Sequence, residues 1–105
     1  MVDYKKIKSG KFSFVYIYNG HNIFWIDGTM FSRIESLSKE YSGSEFYGLD
    51  IRKSPEVAGE FMVFITPVLI VYCEGMEIVR KIRFFPLYEI KETLDRFIEK
   101  IKVED

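Results

Sequence analysis

The segment at residues 11–18, KFSFVYIY, constrains the fold of this chain more than any other part of the sequence. It is rich in β-branched and aromatic residues, which favour strands, and the Asn19-Gly20 pair that follows tolerates positive φ and ends the run. Because apolar residues occupy both alternating sets of positions, we predict a strand that is buried on both faces. Other elements must then cover the sheet on two sides.

Amphipathic helices are predicted where apolar residues recur at intervals of three and four. Ile34 and Leu37 belong to such a stripe, which Gly43 ends and for which Asp27 or Thr29 supplies the N-cap. The predicted helices span residues 29–41, 55–61 and 87–101. Further strands are predicted at residues 45–51, 64–72 and 76–84, of which the last two form an antiparallel hairpin.

The order β-α-β-α-β-β-α predicts an α/β fold with a central four-stranded mixed sheet flanked by helices. A strand–helix–strand unit gives a parallel crossover, and the hairpin adds antiparallel strands. A chain of 105 residues, 48% of them apolar, suits a single domain over residues 1–105, with residues 1–10 as a flexible or short N-terminal extension. The core is expected to include Leu37, Val68, Ile70, Leu94 and Phe97.

Charge and hydropathy argue against two classes of partner. Fifteen Lys and Arg against sixteen Asp and Glu give a net charge of -1, so we expect neither nucleic acid nor membrane as a partner. The lysines at positions 5, 6, 8 and 11 lack interleaved aromatic residues and are expected to form a solvated tail. The longest apolar run is shorter than the roughly 20 residues of a spanning helix, and we expect a cytoplasmic protein.

A single cysteine, Cys73, and a single histidine, His21, limit the chemistry. One cysteine excludes dithiol chemistry within the chain, and one histidine cannot build a histidine-rich metal site. Because the sequence also contains no glycine-rich phosphate loop, we expect no cofactor.

The element order and three stretches resemble the thioredoxin family; one of the three, the first strand with the helix at residues 30–43, agrees in spacing only. The segment from Thr66-Pro67 through the apolar strand to Gly75 is similar to that family's cis-proline, strand and hairpin turn. Leu49-Asp50-Ile51, followed by Ser54-Pro55-Glu56, resembles its passage from strand to helix. The resemblance covers the middle third of the chain and implies a thioredoxin-like fold. It also implies that the N-terminal strand and helix of full-length thioredoxins are mostly missing.

The resemblance does not extend to the family's redox chemistry. Its Cys-x-x-Cys segment falls on Phe24, Trp25, Ile26 and Asp27, none of which is a thiol. The family's buried acid falls on Tyr18, and its groove-facing glycine falls on Arg83. Because thiol–disulfide exchange needs an attacking and a resolving thiol, disulfide oxidoreductase activity is not expected.

A candidate binding groove follows from the same alignment. The resemblance implies a cis Thr66–Pro67 bond, with the backbone of Thr66 offered to an extended strand. The apolar cluster of Phe24, Trp25 and Ile26 would face Phe84 across the groove, with Asp27 and Arg83 fixing its polarity. Alternatively these rings fold inward and fill space in the core.

Three functional hypotheses stay open. The first is a binding or assembly module without redox activity, whose groove takes a protein or peptide partner or a second copy of the chain. The second is a monothiol redox protein that uses Cys73 with glutathione or a partner cysteine. Cys73 lies on the order of 20 Å from Pro67 along a strand, which separates the thiol from the groove. The third is a purely structural subunit.

Overall fold

A computed structural model describes residues 3–20 and 28–104 of the chain. The helices are α1 (Tyr4–Lys8), α2 (Gly28–Ser38), α3 (Val57–Glu60) and α4 (Leu87–Glu104). The strands are β1 (Phe12–Tyr18), β2 (Ser44–Asp50), β3 (Val68–Cys73) and β4 (Met76–Ile82). Within the described ranges, no helix is both long and apolar enough to cross a bilayer.

The strands form one mixed sheet in the order β2-β1-β3-β4. β1 runs parallel to β2 and antiparallel to β3, and β3 pairs antiparallel with β4. The predicted four-stranded mixed sheet and terminal hairpin are therefore confirmed. β2 and β4 are its two edge strands. The pairing of β1 with β2 is regular, whereas the register between β3 and β4 shifts between Val71 and Tyr72.

β1 is buried on both faces, as predicted. Phe14 and Tyr16 contribute to one apolar cluster with Ile34 of α2 and Leu94 of α4. The opposite face of β1 contributes to a second cluster, which includes Ile7 of α1, Val57 of α3, and Val15, Ile17 and Ile70 of the sheet. The helices therefore cover both sides of the sheet.

Most predicted core positions are confirmed. Leu37, Val68, Ile70 and Leu94 are buried. Phe97 is only half-buried, so its full burial was predicted wrongly; it packs against Phe12 with ring centroids 6.5 Å apart.

Several element boundaries differ from the prediction; α2, for example, ends at Ser38 and not at residue 41. β3 begins at Val68 and not at residue 64, because Pro67 has no amide hydrogen to donate to a strand ladder, and Phe64 and Ile65 before it are exposed. α3 is a single turn whose N-cap is Glu56, with no hydrogen bond from the cap side chain. The preceding residues form turns, in which the amide of Val57 donates to the carbonyl of Ser54 at 3.0 Å.

The N-terminal segment contains a helix that the sequence analysis did not predict. Asp3 caps α1 by accepting from the amide of Lys6 at 3.1 Å, and Ile7 is buried. Lys8 is not solvated as a tail residue would be. Its Nζ donates to the carbonyl of Glu60 at 3.0 Å and lies 4.9 Å from the centre of the Phe61 ring. Residues 4–8 are therefore helical, where the sequence analysis predicted no helix or strand.

Candidate functional site

One end of the sheet brings together four of the predicted site residues. Val68, the first residue of β3, pairs with Ile17 near the end of β1 and with Ile82 at the end of β4. Thr66 and Pro67 precede Val68, and Arg83 and Phe84 follow Ile82. The two segments therefore meet at this end of the sheet.

A backbone hydrogen bond joins the two segments directly. The amide of Arg83 donates to the carbonyl of Pro67 at 2.7 Å. The Thr66–Pro67 peptide bond is cis, Pro67 is buried and Thr66 is half-buried. Arg83 has φ 61°, in the left-handed region that favours glycine. Its side chain is exposed beside the proline.

Apolar side chains surround this junction and are exposed. Phe84 is 69% exposed and Phe64 is 90% exposed. A cavity of about 480 Å³ is lined by residues on both sides of Thr66 in the sequence. Its lining includes Met62, Phe64, Ile65, Val68 and Ile82. Sequence reasoning missed Met62, Phe64 and Ile65 as surface residues because their apolar run continues directly into β3. The signal that would have separated them is Pro67, which interrupts that run.

The rest of the predicted groove lies outside the described residues. Phe24, Trp25, Ile26 and Asp27 precede α2 in a part of the chain for which the structure gives no description. Tyr18, the last residue of β1, is at the same end of the sheet as Val68.

Comparison with known proteins shows sequence similarity to thioredoxins. No family model matches the chain. Over 90 residues it is 28% identical to the thioredoxin-like protein YdfQ of Bacillus subtilis, a match that covers 86% of this chain and 79% of that protein. It is 29% identical over 66 residues to a Staphylococcus aureus thioredoxin, covering 62% of this chain and 64% of that protein.

Solved structures show the same fold. Thioredoxin 1 from Thermosipho africanus superposes with a TM-score of 0.75 at 22% identity, covering 85% of this chain and 97% of that one. Fasciola hepatica thioredoxin superposes with a TM-score of 0.66 at 22% identity, covering 85% and 83% of the two chains. The chain therefore has the thioredoxin fold.

This thioredoxin-fold protein carries its thiol at the end of β3 far from Pro67. Cys73 is the last residue of β3, whereas Pro67 immediately precedes its first. Burial, followed by the charge of Glu74, raises the pKa of the Cys73 thiol, and Lys11 opposes this effect. A raised pKa lowers the thiolate fraction at neutral pH, which is the reverse of what a redox-active cysteine requires.

Tyr18 stands where the thioredoxin resemblance implies a buried acid. It is half-buried against Phe31, and burial together with the charge of Asp50 raises its pKa above the usual value. The phenol is therefore neutral at physiological pH and cannot act as a carboxylate base there.

Asp50 organises the backbone at the same end of the sheet. Its Oδ1 accepts from the amide of Gly20 at 3.1 Å and from the amide of Arg52 at 2.9 Å. The carboxylate thus joins the segments that follow β1 and β2. Among the described residues, no group of three or more His, Cys, Asp or Glu is arranged to hold a metal ion.

Proposed function

We propose that this thioredoxin-fold chain is a binding module without dithiol redox activity, and that it holds an extended segment of a protein or peptide partner beside Thr66 and Pro67. The observation that carries the proposal is the hydrogen-bonded junction of Pro67 and Arg83 at one end of the sheet, in a sequence whose single cysteine is at the other end of β3. The junction offers a surface for binding, but none of the described residues there is a cysteine that could carry out thiol chemistry.

The backbone of Thr66 supports recognition by strand addition. Within residues 3–20 and 28–104, neither its amide nor its carbonyl is hydrogen-bonded to another backbone group. An extended peptide gains affinity by pairing with such free groups, and side-chain pockets then add specificity. The exposed rings of Phe64 and Phe84 supply apolar area on either side.

A peptide library tests the proposal. We expect random peptides displayed on phage and selected on the wild-type protein to converge on a set that binds in solution. Phe84→Ala should weaken their binding by about fivefold, because it removes an exposed ring beside the junction. Met76→Ala is the matched control, since Met76 is also exposed but begins β4 at the opposite end of the sheet. No enriched peptide, or equal effects of the two substitutions, would overturn the proposal.

A redox assay separates this proposal from the monothiol alternative. Insulin disulfide reduction in the presence of dithiothreitol is expected to proceed at the same rate with the wild-type protein, with Cys73→Ser and without protein. A wild-type rate above that of Cys73→Ser would show thiol-dependent turnover and support the monothiol function instead.

A further inference from the structure

Arg83 carries a long cationic side chain at a position whose backbone conformation favours glycine. Its φ of 61° lies in the left-handed region, where a β-carbon comes too close to the following carbonyl oxygen. The position is fixed by the 2.7 Å hydrogen bond to the Pro67 carbonyl, so the side chain emerges directly beside the junction. A strained residue at a binding surface points to a role for its side chain.

The neighbouring cations of β4 already have partners. Arg80 pairs with Glu77 at 2.9 Å and donates to the carbonyls of Phe61 and Met62. Lys81 pairs with Glu89 at 3.2 Å. Arg83 has no ion pair or side-chain hydrogen bond with any residue in the described ranges, and it is exposed.

The sequence neighbours of Arg83 are apolar: Ile82 and Phe84 flank it and both are exposed. The cavity beside Ile82 is lined by Met62, Phe64 and Ile65, and its two charged residues, Arg80 and Glu77, are paired with each other. A guanidinium in such surroundings binds a carboxylate through two parallel hydrogen bonds, and partial exclusion of water strengthens the attraction.

We infer that the partner segment is acidic: an extended peptide in which a glutamate or aspartate, flanked by apolar residues, binds the Arg83 guanidinium. This inference rests on the proposed function and assigns its ligand class. The apolar neighbours of the acid pack on Phe84 and in the cavity lined by Met62, Phe64, Ile65 and Ile82.

Selections from one peptide library on four proteins test the inference. The proteins are the wild type, Arg83→Gln, Arg83→Glu and the control Arg96→Gln, whose arginine is exposed on α4. Peptides selected on the wild type and on Arg96→Gln should be enriched in Asp and Glu. Those selected on Arg83→Glu should be enriched in Lys and Arg, because the charge at the junction is reversed.

A double-mutant cycle measures the contact itself. Changing the acid of a selected peptide to its amide should weaken binding to the wild type by about tenfold and binding to Arg83→Gln by less than about twofold. Peptides that bind without a preference for acids, or an equal effect of the amide on both proteins, would overturn the inference and leave the proposed function standing. Failure to select any peptide would overturn both. A homodimer that Arg83→Glu dissociates would identify a second copy as the occupant and overturn the peptide assignment.

Discussion

The ring of Phe31 lies directly against the backbone of Gly48, so that a β-carbon on Gly48 would come within 2.5 Å of its Cε2 atom. Phe31 is also held edge-on against Phe46, with ring centroids 5.0 Å apart, and against Tyr18 at 5.9 Å. Gly48→Ala is therefore expected to reduce the free energy of unfolding by about 1–3 kcal/mol, because the ring must shift within its aromatic neighbours. Urea denaturation measures the change.

Gly59→Ala is the matched control for Gly48→Ala. A β-carbon on Gly59 would have no neighbour within 4 Å, and the residue lies in α3. Since alanine is favoured over glycine in a helix, this variant should be unchanged or more stable by up to about 1 kcal/mol. Equal losses of stability in the two variants would contradict the steric explanation.

Arg83→Gly is expected to stabilise the fold. Glycine adopts the observed φ of 61° without strain, although it also loses more entropy on folding, and the net gain should be about 0.5–1 kcal/mol. Arg83→Ala keeps the β-carbon and the strain while it removes the charge, so it should give no such gain. A similar gain in both variants, measured by chemical denaturation, would attribute the effect to charge and not to backbone conformation.

Lys8→Met should weaken the packing of α1 against α3 and the sheet. The substitution removes the hydrogen bond to the Glu60 carbonyl and the cation–π contacts with Phe61 and Tyr72, with an expected cost of about 1 kcal/mol. Lys5→Met, at an exposed position of the same helix, should have little effect. Hydrogen exchange of the α1 amides and thermal unfolding follow the change, and equal behaviour of the two variants would argue against these contacts.

The Cys73 thiol is expected to react slowly in the folded protein. Its raised pKa means that the folded state favours the neutral thiol, so this contribution to stability is present below the unfolded pKa and is lost as pH rises through the folded value. Alkylation by iodoacetamide at about pH 8.5, followed by mass spectrometry, should be slower in the folded chain than in urea. A faster reaction in the folded chain would indicate an activated thiolate.

The sequence was sufficient to predict the sheet, because period-two and helical patterns are local signals. It was not sufficient for α1, whose single turn is stabilised by residues far away in the chain. Tyr4 donates to Glu56 at 3.0 Å, and Lys8 reaches Glu60 and Phe61. Five residues carry too little periodicity to reveal such contacts.

The candidate site was predictable only in part. The family resemblance implied that Thr66 and Pro67 lie opposite Arg83 and Phe84. The structure brings these four residues to one end of the sheet. The exposure of Met62, Phe64 and Ile65 was not predicted, because these residues continue the apolar run of β3 and the interruption at Pro67 was not taken as the start of the strand. Whether these side chains are buried depends on which elements pack against them in the tertiary structure.

The two edge strands of the sheet differ in how readily they can pair with a further strand. β4 has an irregular register and carries Arg80 and Lys81, features that discourage edge pairing. β2 is regular and contains neither lysine nor proline. Because the Ile51 amide donates to Tyr18 at 2.8 Å, alternation directs the amides and carbonyls of Phe46 and Gly48 away from β1. When the chain refolds at high concentration, we therefore expect aggregation to begin by pairing at the edge strand β2.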